Sequence, residues 1–127
     1  DGVGKVIRKA PMVGGPGLKT GLNIHMDNPA SVGSDRIVIA VAALAEYEPP
    51  LTLLDLGTAT TIEVVDKGNV YLGGCIIPGV RVSIEALFPK AALLPRVELV
   101  EPPTVLVTTA VGQIQPGAVM GYIGAME

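Results

Sequence analysis

Aromatic residues and cysteines are scarce in this sequence, and each shortage excludes a class of protein. Aromatic residues make up 3% of the chain and tryptophan is absent, so the core must be aliphatic. The stacking platforms on which single-stranded nucleic acids bind are correspondingly missing. Cys75 is the single cysteine, which excludes an internal disulfide and favours a reducing compartment. One cysteine and one histidine, His25, do not suffice for a zinc site of the usual kind.

Basic charge and long apolar runs are also lacking. The chain has 9 Lys and Arg against 12 Asp and Glu, a net charge of −3, and no basic run. This charge pattern gives no indication of a nucleic-acid face or of a polybasic membrane anchor. No apolar run approaches the ~18 residues of a membrane span, and no basic-then-apolar leader opens the chain. The sequence therefore predicts a soluble cytoplasmic protein with neither nucleic acid nor membrane as a partner.

The sequence is rich in aliphatic residues, which repeat with a helical period in some segments and with a strand period in others. This pattern predicts an α/β protein. Apolar residues make up 49% of the 127 residues, which suits one globular domain. The segment from Ser34 to Tyr47 predicts a helix with a Ser or Asp cap, ending before Pro49-Pro50. Because this helix is apolar nearly all round, we expect it to be buried between layers.

The other predicted elements follow in order along the chain. Strands are expected at residues 12–13, 51–56, 61–66 and 70–77, with Gly73-Gly74 interrupting the last, and at 97–100. Residues 18–33 read as a polar loop. Helices are expected at residues 80–88 and from about 108 to 126, with a helical turn at 90–95. The three strands from residue 51 to 77 form a meander on which the helices pack.

The junction LLDLGTATTIEVV between the first two strands of the meander is longer than a hairpin requires. Gly57 permits close backbone approach, and Thr58, Thr60 and Thr61 offer hydroxyl donors to an anion. Asp55 would repel a phosphate directly but could hold a cation that bridges to it. The junction therefore predicts a nucleotide-phosphate and metal-ion site. An ordinary polar turn is the competing interpretation.

Three segments together resemble the type III pantothenate kinases. They are GPGLKTGLNIHMDNPASVGSDRIVIAVAA, LLDLGTATTIEVVDKGNVYLGGCIIPG, and SIEAL followed by AALLPRVEL. They lie in the family's order from about Pro11 to Leu99. The resemblance implies a ribonuclease-H-like, actin-type ATPase lobe with a mixed sheet, a three-stranded meander and packing helices. It also implies ATP-dependent phosphorylation of the pantothenate hydroxyl, the first step of coenzyme A synthesis.

The resemblance assigns the pantothenate site to the start of the predicted helix. Gly33-Ser34-Asp35-Arg36 matches the family's pantothenate-binding segment, and Asp35 matches its general base. A carboxylate that accepts the hydroxyl proton suffices for this reaction, and a helix N-terminus stabilises negative charge. Arg36 can pair with the substrate carboxylate or with phosphate. By its residues alone, Asp35 is better interpreted as a plain helix cap, and the resemblance favours the catalytic role.

The ATP site is implied at the quoted junction. Asp55 matches the residue that binds a monovalent cation, potassium or ammonium, and Thr58 matches an ATP-contacting threonine. Magnesium is expected to accompany ATP. The family is dimeric, and surplus apolar residues in the two segments after residue 79 favour a homodimer. These residues are Val80, Ile84, Leu87, Phe88, Leu93 and Leu94.

The chain departs from the family pattern at three places. A substrate-contacting Tyr is replaced by Met26, and the substrate-binding Thr before the last helix falls at Ala110, with Thr109 one place away. Thr109 is therefore expected to bind substrate. Pro116 lies inside the last predicted helix, at a cost of ~3 kcal/mol unless a kink is intended.

The family's first phosphate loop, an Asp-Gly-Asn-Thr motif, is absent from this sequence, as is the end of the second lobe. Residues 1–50 are then the end of the first lobe with the interlobe helix, and residues 51–127 the second lobe. We expect an incomplete copy that is inactive alone. Two other interpretations remain: a non-catalytic binding or regulatory relative with a decayed site, and a sibling kinase for another hydroxylated acid.

Overall fold

The structure is a computed structural model and describes residues 20–127. Its strands are β1 (Asn23–Ile24), β2 (Leu51–Leu56), β3 (Ala59–Asp66) and β4 (Val70–Pro78). Its helices are α1 (Ser34–Glu46), α2 (Val80–Leu87) and α3 (Ala110–Met126), and a short 3-10 turn spans Pro29–Ser31. The strand predicted at residues 12–13 lies outside the described residues.

The four strands form one mixed sheet in the order β1-β4-β3-β2. The strands β2, β3 and β4 follow one another along the chain and lie side by side, so the predicted meander is confirmed. The strand β1 pairs with β4 in parallel, with Asn23 opposite Val70 and Ile24 opposite Tyr71. The sequence analysis predicted a loop in this segment, since two residues are too few to show an alternating pattern.

The mixed sheet together with the three helices confirms the predicted α/β class.

Two strand predictions were wrong in detail. The strand β4 runs unbroken through Gly73-Gly74, although Gly73 has a φ of 86°, a value that glycine tolerates and other residues rarely adopt. Within the described residues, 97–100 form no strand. That stretch lies between Pro95 and Pro102-Pro103, which lack the backbone N–H that a sheet ladder needs. The helical turn predicted at residues 90–95 is present as turns rather than a helix.

The helix α1 has the predicted length but not the predicted burial. Among its residues Ala40 is fully buried, whereas Val38 is 56% exposed. One face therefore packs inward and the other is exposed, although both are apolar. The helix ends where the Tyr47 N–H donates to the Ala43 carbonyl, just before the double proline.

The chain divides into two compact units. The first contains the described residues up to Leu53 together with Glu63–Gly73. Its core is formed by Val32, Ala40, Val65 and Tyr71, against which aliphatic side chains of α1, β1 and β2 pack. The second contains Leu54–Ile62 and the chain from Gly74 onward, with α2 in contact with α3 and Ile84 buried. The lobe boundary predicted at residue 50 stays a prediction.

Among the described residues, no helix combines the length and the apolar character that a membrane span requires.

Candidate functional site

The start of α1, in the first unit, holds the predicted substrate segment. Gly33 is the N-cap, with φ −60° and ψ 144°, and its carbonyl accepts hydrogen bonds from the Arg36 and Ile37 N–H groups at 3.1 and 3.2 Å. Ser34 and Asp35 occupy the first turn and are exposed. A Cβ on residue 33 would meet Asp35 Oδ1 at 2.5 Å, so the carboxylate lies close to the Gly33 backbone and would have to rotate away from a side chain there.

The predicted Ser or Asp cap of this helix is wrong. The cap position belongs to Gly33, which has no side chain to bond with, and the first turn has no side-chain cap hydrogen bond. The Asp35 carboxylate therefore does not cap the N-terminus of the helix. It lies at the positive end of the helix dipole, where an anion is favoured.

Behind this helix start, Arg36 belongs to a buried polar network. Glu63 Oε1 accepts a hydrogen bond from Arg36 Nε and another from the Tyr71 hydroxyl, the latter at 2.8 Å. The Glu63 side chain is 2% exposed and that of Arg36 is 17% exposed. Since Glu63 lies on β3 and Tyr71 on β4, the network ties the first turn of α1 to two neighbouring strands.

The network also sets the protonation of its members. Burial lowers the pKa of Arg36, but the hydrogen bond and negative charge of Glu63 outweigh it, so this pKa lies above its usual value. Burial, followed by the hydrogen bond and charge of Glu63, raises the pKa of Tyr71 to about 12. The guanidinium thus stays charged and the phenol stays neutral near neutral pH.

Sequence reasoning missed Glu63 and Tyr71. The signal for Glu63 was present, because a carboxylate interrupts the apolar run of β3 on the same strand face as Val65. A charged residue in that place is almost never buried unless it is paired. Nothing in the sequence pattern, however, identified Arg36 as its partner.

The turn between β2 and β3, in the second unit, holds the predicted phosphate site. Gly57 and Thr58 are exposed there, and the Gly57 N–H donates to the Ala59 carbonyl at 3.1 Å. The Gly79 N–H donates to the Thr58 carbonyl at 2.8 Å. A Cβ on residue 79 would collide with the Gly57 and Thr58 carbonyl oxygens, so glycine at the N-cap of α2 is what permits this approach.

Not every hydroxyl of the turn can serve an anion. Thr60 is fully buried and its hydroxyl is hydrogen-bonded to the Tyr122 hydroxyl of α3. Thr61 is also buried. The expectation that Thr58, Thr60 and Thr61 all face a phosphate is therefore corrected, because β3 begins at Ala59 and draws the two later threonines into the packed interior. The exposed Thr58 remains available.

Asp55 lies near the end of β2 and is half-buried. Among residues 20–127, no three His, Cys, Asp or Glu side chains lie close enough together to hold a metal ion. The predicted cation role of Asp55 stays a prediction.

The remaining predicted positions have identifiable structural surroundings. Thr109 is the N-cap of α3, and its hydroxyl accepts a hydrogen bond from the Gly112 N–H at 3.1 Å. Ala110 is the first residue of that helix. Met26 is half-buried against the core of the first unit, close to Gly73. The substrate role of Thr109 stays a prediction.

Comparison with known proteins gives a match to a family model and matches to solved structures. A family model described as type III pantothenate kinase matches residues 3–127. A solved Campylobacter jejuni protein, assigned to the Baf family of transcriptional activators, matches with a TM-score of 0.58 and 20% identity. This alignment covers 84% of the present chain and 49% of that protein, so the chain spans about half of its length. At this identity the second match is one of fold.

Proposed function

Because this chain belongs to the type III pantothenate kinase family, we propose that the protein transfers the γ-phosphoryl group of ATP to the hydroxyl of pantothenate. The observation that carries the proposal is the start of α1. An exposed carboxylate, Asp35, lies there at a helix N-terminus without serving as a cap, next to an arginine whose orientation is fixed. This is the pairing of a proton acceptor with an anion-binding group that the reaction needs.

In the proposed mechanism Asp35 accepts the proton of the pantothenate hydroxyl as its oxygen attacks the γ-phosphorus. Arg36 binds an anionic group of a substrate through its guanidinium. The attacking oxygen forms a bond to phosphorus, the bond to the bridging oxygen of ADP breaks, and ADP leaves with that electron pair. Phosphoryl transfer depends mainly on position and charge neutralisation, so these contributions suffice from this part of the site.

The turn after β2 is proposed to contact ATP. The exposed Thr58 would donate its hydroxyl to a phosphate oxygen, and the backbone of the turn is held in place by Gly79. Asp55 would hold a potassium or ammonium ion, which would supply positive charge beside the phosphates. Magnesium would arrive with ATP as part of the substrate.

The finer fold and the setting of the protein belong to the same proposal. We place the mixed sheet in a ribonuclease-H-like, actin-type ATPase lobe, with residues 1–50 ending the first lobe and 51–127 belonging to the second. The protein is proposed to act in the cytoplasm as a homodimer. A crystal structure of the complete protein with an ATP analogue would test the lobe assignment, and a fold without a nucleotide cleft would contradict it.

The deciding experiment is an assay of ADP release by the complete purified protein, with ATP, magnesium and potassium, in the presence and absence of pantothenate. We expect ADP release to depend on pantothenate, with 4'-phosphopantothenate as the second product by mass spectrometry. ADP release that depends on another hydroxylated acid and not on pantothenate would identify a sibling kinase instead.

A second candidate is a non-catalytic binding or regulatory relative. The half-buried Met26, which packs against the core where the family has a substrate-contacting Tyr, favours it. This candidate predicts that pantothenate or ATP binds, as seen by calorimetry, without any ADP release. Pantothenate-dependent turnover in the assay would exclude it.

A further inference from the structure

Glu63 is a buried carboxylate to which the proposed mechanism gives no role. It is 2% exposed, lies in the middle of β3, and shares one oxygen between Arg36 Nε and the Tyr71 hydroxyl. Tyr71 is itself fully buried. Within the described residues, every buried side-chain nitrogen and oxygen has a hydrogen-bond partner, so this network is complete.

Stability alone does not account for such a network. Removing two ions from water costs more than their attraction commonly returns, and well-packed apolar side chains in the same place are often at least as stabilising. What a buried, hydrogen-bonded ion pair provides is a fixed orientation. Here the oriented group is the guanidinium of Arg36, in the first turn of α1 and adjacent to the exposed Asp35.

The contact also selects which edge of the guanidinium is used. Glu63 takes the Nε–H. A guanidinium has five N–H donors in a fixed plane, so four remain on the two terminal amino groups. With Nε bonded to Glu63, one N–H from each terminal amino group forms the edge that suits bidentate binding of a carboxylate or phosphate.

We propose that Glu63 is a positioning residue, which holds Arg36 through Nε so that its terminal amino groups bind an anionic group of a substrate, while the Tyr71 hydroxyl fixes the Glu63 carboxylate. This inference rests on the proposed function, in which Arg36 binds substrate. The anionic group is the pantothenate carboxylate or an ATP phosphate, which share this chemistry, and separate KM values for the two substrates distinguish them.

The test is steady-state kinetics of the complete protein with Glu63→Gln, Arg36→Lys and the double variant. The Glu63→Gln substitution keeps the shape of the side chain and removes its charge. The Arg36→Lys substitution keeps the charge and removes the paired N–H donors of the planar guanidinium. We expect Glu63→Gln to raise the KM of one substrate by about 10- to 100-fold, because the charge that holds the Arg36 guanidinium is lost and the remaining hydrogen bond is weaker. Because Glu63 acts through Arg36, the double variant should bind no worse than Arg36→Lys alone.

A thermal melt of each variant separates positioning from folding, and Glu46→Gln, at an exposed carboxylate ending α1, is the matched control. If Glu63→Gln does not fold, Tyr71→Phe keeps the carboxylate and should raise the same KM several-fold. Unchanged KM values for both substrates, or additive effects in the double variant, would overturn the inference and leave the proposed function intact. Absence of pantothenate-dependent ADP release by the wild type would overturn both.

Discussion

Asp35 and Arg36 are neighbours in the first turn of α1, yet their surroundings differ. The Asp35 carboxylate is exposed and caps nothing, whereas the Arg36 guanidinium is bound to a buried carboxylate. A general base must reach the proton of a substrate, and an anion-binding group works best when its orientation is fixed beforehand. Each side chain therefore has the surroundings that its proposed task requires.

The exposed carboxylate gives the first prediction. We expect Asp35→Asn to leave the fold and pantothenate affinity of the complete protein intact and to lower kcat by about 10²–10⁴-fold, because the proton acceptor is lost and the shape is kept. Steady-state assays of ADP release measure kcat, and calorimetry measures the affinity for pantothenate. Asp66→Asn, at an exposed carboxylate at the end of β3, is the control. A near-normal kcat would show that Asp35 is not the base.

Asp55 gives a prediction about ions. If its half-buried carboxylate holds a monovalent cation beside ATP, turnover of the wild type should rise with potassium or ammonium concentration at constant ionic strength. Asp55→Ala should lower turnover and remove that dependence. Titration of ADP release with potassium, with sodium making up the balance, measures it. Activity that stays flat across potassium concentrations in the wild type would refute the assignment.

Tyr71 gives a prediction about alkaline stability. Its pKa is about 12 in the folded protein, against an ordinary value of 10.0. The folded state therefore favours the neutral phenol. This stabilisation is fully present below pH 10 and is lost as pH rises through about 12. Urea unfolding across this window should show a fall in the free energy of unfolding that is smaller in Tyr71→Phe.

Tyr47→Phe, at an exposed tyrosine just after α1, is the control and should behave as the wild type. Absorbance titration should also show that the Tyr71 phenol ionises at a pH of about 12. Identical pH dependence of unfolding in the wild type and in Tyr71→Phe would contradict the linkage.

At the scale of elements, the start of α2 supports the turn between β2 and β3. The Gly79 N–H holds the Thr58 carbonyl, and the absence of a side chain at residue 79 lets the two backbones meet. The Thr60–Tyr122 hydrogen bond joins the start of β3 to α3 in the same unit. The turn that is proposed to contact ATP is thus supported by two helices.

The close approach at Gly79 gives a prediction about stability. We expect Gly79→Ala to lower the free energy of unfolding by about 1–3 kcal/mol, because its Cβ would overlap two carbonyl oxygens of the turn. Gly124→Ala in α3, where a Cβ would meet nothing within 4 Å, should be neutral or stabilising. Urea unfolding of both variants provides the comparison. A Gly79→Ala variant as stable as the wild type would show that the turn can shift freely.

At the scale of the whole molecule, apolar surface on the second unit bears on assembly. Leu93, after α2, is 94% exposed, and Leu87 of α2 is also exposed. A groove of about 500 Å³ between α2 and α3 has an apolar lining that includes Leu87 and Ile114. Side chains of this kind are commonly covered by a second subunit.

We therefore expect the complete protein to be a homodimer, and Leu93→Glu to weaken it by placing a charge in an apolar interface. Sedimentation velocity at micromolar concentration measures the dimer fraction. Leu106→Glu, at a leucine that is 92% exposed in a loop before α3, is the matched control. A wild type that sediments only as monomer would refute the dimer.

The sequence predicted the elements that depend on short-range pattern. The helix of 13 residues ending before Pro49-Pro50, the strand Leu51–Leu56 and the helix Val80–Leu87 all lie where alternation, helical period and proline place them. Where backbone conformation matters more than pattern, prediction was weaker. The strand β4 continues through Gly73-Gly74 although Gly73 has a positive φ, and the two residues of β1 form a strand by pairing with β4.

The candidate site divides in the same way. The resemblance to the family assigned Gly33, Ser34, Asp35 and Arg36 to one segment at a helix start, and Asp55 and Thr58 to one strand junction, because each set is local in sequence. The tertiary structure decided which of these side chains are accessible and which are engaged. It buried Thr60 against Tyr122, left Asp35 exposed, and paired Arg36 with Glu63, 27 residues away along the chain. Such pairings depend on how α1 packs against the sheet, and no local pattern encodes the partner that a buried charge will meet.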